Sequence, residues 1–129
     1  MFISGSEENE EILVIQAELG TSKCRFINAY GPQEYAERNT VIQFYSRLDQ
    51  EIKNAKMMDC MVFLELDANA KLGGNFIPGD THKISPNGEF LKEVIESNSL
   101  IICNANKKCE GLFTRQRKTI KQKIGTNKV

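Results

Sequence analysis

CMVFLELDANAKLG, residues 60–73, decides how this chain folds. Residues 60–66 are nearly all apolar, with Met61, Val62, Phe63 and Leu64 in one unbroken run. A short apolar run that stops abruptly at polar residues reads as a strand buried on both faces. Asp67 and Asn69 follow directly, two residues apart, and Gly73-Gly74 breaks the chain soon after. In open α/β sheets chemistry sits just beyond the carboxyl ends of strands. Such a strand would deliver a carboxylate and a carboxamide together to the rim of a rigid sheet.

Upstream, residues 11–19 (EILVIQAEL) are rich in β-branched and aliphatic side chains and are followed by the turn residues Gly20-Thr21-Ser22. Residues 24–30 (CRFINAY) read as a second strand, so the pair predicts a hairpin. Gly31-Pro32 ends it, and residues 4–10 (SGSEENE) ahead of it read as a polar loop. Val41, Phe44, Tyr45, Leu48, Ile52 and Ala55 then recur at three- and four-residue spacing, which predicts an amphipathic helix. Thr40 with Gln43 offers a capping box for its start, and residues 34–37 offer an earlier turn.

Downstream of the central strand, residues 71–85 are rich in Gly, Asn, Asp and Pro and form a loop. Ser85-Pro86 starts a second helix, serine as N-cap and proline at the first helical position. Its buried face is expected to be Phe90, Leu91, Val94 and Ile95, with Asn98 near its end. Residues 100–103 (LIIC) read as a fourth strand and 111–116 (GLFTRQ) as a fifth. The order strand, strand, helix, strand, helix, strand, strand predicts an α/β chain with a mixed sheet covered by helices.

The 129 residues leave room for one domain of ordinary size. Hydrophobic content of 40% with 26% charged residues excludes a disordered chain. Lys+Arg and Asp+Glu are both 17, but the balance hides a gradient. The first 20 residues carry acidic side chains and no basic one, whereas residues 107–129 are strongly basic. Such a tail suits phosphate contact, and equally a solvated face. Cys24, Cys60, Cys103 and Cys109 show no Cys-x-x-Cys spacing; three lie in apolar runs and read as buried free thiols of a reducing compartment. No signal peptide or membrane-length apolar run is evident, so a soluble intracellular protein without a membrane partner is expected.

Asp67 and Asn69 are the leading chemical candidates. A carboxylate accepts a proton from water or holds a divalent metal, and an amide donates to a developing oxyanion. The pair equally suits an Asx-turn closing the strand. The second strand end, Asn28-Ala29-Tyr30-Gly31-Pro32-Gln33, offers a phenol that can donate to a phosphate oxygen and an amide that can orient a ligand. An aromatic packed half-buried at a strand end is the plainer account of Tyr30. His82, the sole histidine, lies in a loop near Asp80 and reads as a surface or capping residue; the two do not make a metal site. A Gly-rich phosphate loop, a nucleophile elbow and a metalloprotease helix are all missing.

Four pieces, in order, resemble the endonuclease/exonuclease/phosphatase superfamily with its DNase I-like fold, and most of all the apurinic-type endonuclease domains of non-LTR retroelements and their domesticated relatives. They are Asn28 to Gln33, the LDANAKLG run beginning at Leu66, Ser85-Pro86-Asn87-Gly88, and Gly111-Leu112-Phe113-Thr114-Arg115. The resemblance implies a Mg²⁺-dependent, DNA-cleaving phosphodiesterase on an α/β sandwich of two mixed sheets flanked by helices. In it Asp67 matches the aspartate that orients or deprotonates the attacking water. Asn69 matches the asparagine that holds the phosphate, and Tyr30 the tyrosine near the scissile bond. Asn28 and Gln33 would contact substrate, with Gln33 standing where many members have asparagine. Leu66 replaces the usual glycine before the aspartate.

The family's metal-binding glutamate and its late Ser-Asp-His motif do not appear in this sequence. His82 lies in the wrong segment to replace that histidine. The expectation is therefore the central part of such a domain over residues 11–119, with a polar segment at 1–10 and a basic tail at 120–129. Such a chain would be inactive alone, with a non-catalytic nucleic-acid- or protein-binding module as the alternative. A truncated sheet would also expose strand edges to pairing with another chain.

Overall fold

Main-chain pairing, more than any side-chain pattern, organises the sheet. A computed structural model describes residues 2–9 and 11–105. Strands β1 (Phe2–Asn9), β2 (Ile12–Leu19), β3 (Ser22–Tyr30) and β4 (Met61–Asp67) lie side by side in that order. The first two pairings are antiparallel and β3 pairs β4 in parallel. A parallel pair needs a crossover, and helix α1 (Arg38–Met57) supplies it. Helix α2 (Pro86–Ser97) follows β4. The α/β class with a mixed sheet is as the sequence predicts.

The β2–β3 hairpin follows from its turn. Gly20 sits at φ 64°, in the left-handed region where a side chain is strained, and the register runs from Leu19↔Ser22 to Ile12↔Ala29. On one face of the sheet Ile12, Val14, Ile27 and Ala29 meet Val41, Phe44, Leu48 and Ile52 of α1 and Leu91, Val94 and Ile95 of α2. Leu48 and Ile52 are 0% exposed, and each such burial contributes roughly 1.5–3 kcal/mol of transfer free energy. The helices thus share one sheet face.

Several expectations are corrected. Residues 4–10 are not a loop: all but the last belong to β1, which pairs with β2 from Phe2↔Glu18 onward with an irregularity between Ser6 and Asn9. Backbone donors and acceptors make that ladder, so a polar sequence forms it as well as an apolar one. The central strand is not buried on both faces. Met61, Phe63, Glu65 and Asp67 are exposed while Val62, Leu64 and Leu66 turn toward the helices, because among the described residues helices cover only one side. Helix α1 begins before Thr40, at N-cap Glu37, without a side-chain cap, so the capping box is not used.

Residues 100–103 do not form a strand. Ser99 at φ 54° and the bond from Leu100 N to Ile95 O turn the chain back at the end of α2. Leu100 and Ile102 pack partly buried against the core while Ile101 is 85% exposed, and a 3₁₀ turn, Cys103–Ala105, follows. Cys24 and Cys60 are buried free thiols as expected, but Cys103 is exposed. Phe90 is only partly buried, stacked on Tyr45 at 5.9 Å with the Arg38 guanidinium 5.3 Å from its ring centre. The expected strand at 111–116 and the basic tail lie outside the described residues. No described helix is long and apolar enough to cross a membrane.

Candidate functional site

The carboxyl ends of the parallel strands β3 and β4 meet because their register pairs Asn28 with Glu65 and Tyr30 with Asp67. In a strand, residues two apart share a face, so these four side chains stand on the sheet face that the helices leave open. Asn28 Nδ2 donates to Glu65 Oε1 at 3.2 Å. Tyr30 is 55% exposed, and Asp67, the last residue of β4, is exposed beside it. Asp67 therefore ends the strand and does not follow it.

Beyond the strands the segments that follow β3 and β4 are clasped. Gly31 N donates to Asp67 O at 2.7 Å, and Asn69 Nδ2 donates to Gly31 O at 2.9 Å. A Cβ on Gly31 would lie 2.7 Å from Ala68 O, closer than real contacts allow, so the approach requires glycine. Asn69 itself adopts φ 48°, a left-handed conformation that asparagine tolerates better than most residues. Its carboxamide thus secures the turn with one N–H and keeps a second for other use.

The start of α2 completes the rim. Ser85 Oγ accepts from Gly88 N at 3.1 Å as N-cap and also from Lys71 N at 2.9 Å. Asn87, 2% exposed, donates from Nδ2 to Pro32 O at 2.9 Å, and its main-chain N–H donates to Glu34 Oε1 at 3.1 Å. A Cβ on Gly88 would come within 2.0 Å of Lys71 O. The Ser85-Pro86-Asn87-Gly88 stretch is thus the buckle that holds the loops after β3 and β4 together. From α1, Tyr45 Oη donates to Ala68 O at 3.4 Å; burial, then the Glu34 carboxylate, push its pKa up to about 12. That phenol stays protonated across the working range.

Of the residues singled out in the sequence, Asn28, Tyr30, Asp67 and Asn69 come together at this sheet end. Gln33, partly buried, lies alongside on the cleft that borders Tyr30. His82 is not among them. It is exposed in the loop after β4, where Asp80 Oδ1 accepts from its main-chain N–H at 2.9 Å and meets its Nδ1 at 2.7 Å. Those two bonds hold the Asp80 carboxyl below the usual aspartate range. Sequence reasoning missed Glu65, whose place two residues before Asp67 on one strand was the available signal. It also missed Gly31 as the closing contact, which only the register reveals.

Asp67 and Glu65 are the β4 carboxylates of this open end, and among the described residues no group of three or more His, Cys, Asp or Glu is placed to hold a metal ion. These residues do not by themselves fit the Mg²⁺ that the resemblance implies.

No family model matches the chain. Over 102 residues it is 28% identical to Craniofacial development protein 2 of Bos taurus, an alignment covering 75% of this chain. The chain spans 17% of the length of that protein.

Proposed function

We propose that this chain is the central part of an endonuclease/exonuclease/phosphatase domain of the retroelement type, and that the Asp67 end of its sheet handles a DNA phosphodiester. The pairing of Tyr30 with Asp67 at the carboxyl ends of two parallel strands carries this reading. The likeness to Craniofacial development protein 2 and the order of the motifs support it. In this reading Asp67 accepts a proton from, or orients, an attacking water, Tyr30 donates its hydroxyl to a phosphate oxygen, and Asn69 donates its remaining N–H to the same group. Asn28 holds Glu65 back from the phosphate, and Gln33 orients substrate from the flank.

Related domains use Mg²⁺ to neutralise phosphate charge, and this chain's described residues do not assemble a ligand set for it. Removing members of a cooperating site collapses catalysis, so the chain alone is expected to be inactive. Nicking of supercoiled or abasic DNA with added Mg²⁺ tests this. The expected result is no cleavage above background; robust cleavage that Asp67→Ala abolishes would overturn the inactivity.

The basic residues of 107–129 favour a second reading, a non-catalytic module that binds nucleic acid without cutting it. DNA affinity across salt, with and without residues 117–129, separates the two. A tail-borne electrostatic interaction weakens steeply with salt and with the deletion. No DNA binding at low salt would count against both readings.

A further inference from the structure

Among the described residues both helices pack on one face of the sheet, and the other face stays open. We infer that the open face binds a second copy of this chain, sheet on sheet, with the Phe26–Phe63 stack of each copy at the centre.

Size and composition come first. Leu13, Leu19, Phe26, Met61 and Phe63 stand on this face and range from 43% exposed at Phe26 to 58% at Met61. An aromatic side chain buries roughly 150–250 Å² in full, so these large side chains, each about half exposed, present roughly 500 Å² together. A standard interface takes about 800 Å² from each partner, and homodimer interfaces are about 65% apolar. The apolar centre supplies that share, and exposed Ser22, Asn28 and Glu65 at its margin supply polar surface. Phe26 and Phe63 already stack at 5.2 Å with their rings 14° apart, so docking has little side-chain freedom left to remove at the centre.

Charge sets the orientation. Glu65 and Asp67 occupy one end of the β4 face and apolar Met61 the other. A two-fold axis across the strands at the Phe63 row reverses their direction in the second copy, so the acidic ends lie apart. Each residue rises about 3.3 Å, so Glu65 and Met61 sit roughly 7 Å on either side of that axis. Glu65 of one copy then faces Met61 of the other. An axis along the strands would instead bring the Glu65 and Asp67 carboxylates of both copies together, which costs affinity. The face is thus complementary to itself, as a closed dimer requires. Twisted sheets pack in this way within about 30° of alignment and about 10 Å apart. Asp67 lies roughly 13 Å from the axis, beyond the second copy's Met61, so the dimer leaves the rim accessible and does not depend on the phosphodiester reading.

Sedimentation velocity of the full chain, its cysteines kept reduced, tests this between about 1 and 100 µM, where interfaces of this size begin to hold. A closed monomer–dimer equilibrium is expected. Phe63→Ser and Phe26→Ser, each folded by far-UV circular dichroism, should weaken it about tenfold or more. Glu93→Lys, exposed on α2, should leave it within about twofold. At low salt Met61→Glu should weaken it at least about fivefold more than Met61→Lys, with the gap closing at high salt. A monomer throughout, its face bare or covered by its own residues 106–129, would overturn the dimer, as would association that continues past two copies. A dimer that keeps its affinity in both serine variants, as edge pairing through β4 would, overturns the face-to-face docking. Equal effects of Met61→Lys and Met61→Glu overturn the strand-reversed arrangement.

Discussion

Gly31 has the least freedom of any residue at the sheet end. Its N–H and C=O are both engaged, to Asp67 O and by Asn69 Nδ2, and the space where a Cβ would sit is taken by Ala68 O at 2.7 Å. Gly31→Ala must push the two strand ends apart, and overpacking of this kind costs about 1–3 kcal/mol. Urea denaturation should show a lower midpoint with an unchanged slope. Asp80 gives a pH dependence. The main-chain N–H and ring of His82 lower its native pKa, so its contribution is complete above the ordinary aspartate value of about 4 and disappears as pH falls through the lower native value. Thermal unfolding of the chain and of Asp80→Asn should therefore differ at pH 6 and converge toward pH 2. The placement of Asp67, Asn69 and Tyr30 at one sheet end was legible at this scale, because strand ends in an α/β chain are where polar side chains gather. Glu65 was not, since a lone glutamate in an apolar run shows its meaning only once the open face is known.

At the scale of elements, α1 and α2 are joined by one buried carboxamide. Asn98, 3% exposed at the end of α2, donates from Nδ2 to Val94 O and to Asp49 Oδ1 on α1, and its main-chain carbonyl accepts from Lys56 Nζ. Asn98→Ala strips a buried helix end of the carboxamide that ties it to Asp49, which keeps Lys53 at 2.7 Å, for an expected loss of about 1–3 kcal/mol in chemical denaturation. Asn98→Asp should not rescue it, because a second carboxylate would face Asp49. The periodicity of residues 41–55 and the Ser85 cap made both helices readable, since each rests on a local pattern. Strand β1 and residues 100–103 were not readable, for opposite reasons. The first is polar and held by its neighbour's backbone; the second is apolar yet turned aside by Ser99 in a left-handed conformation.

Across the whole molecule, the open sheet face is graded. Rows of register partners run from Ala17–Cys24–Met61 through Ile15–Phe26–Phe63 to Leu13–Asn28–Glu65 and end at Tyr30–Asp67, so apolar surface gives way to polar toward the candidate site. Phe26 and Phe63 stack at 5.2 Å while 43% and 47% exposed, and Met61 is 58% exposed. Contiguous apolar surface of this kind binds hydrophobic dyes and associates. Phe63→Ser should cut dye fluorescence and concentration-dependent light scattering severalfold while far-UV circular dichroism is retained; an unchanged signal would mean the face is covered in solution. The sequence could not show which face stays open, because an apolar strand looks the same until the helices choose a side. The clasp at Gly31 finally supplies a clock for the assembled state. Its amide belongs to a loop by sequence but is bonded to Asp67 O across the strands, so its hydrogen exchange should follow the slow cooperative opening of the sheet and not the fast fraying of a turn. One proton, followed in heavy water, then reports how often the two halves of the rim come apart.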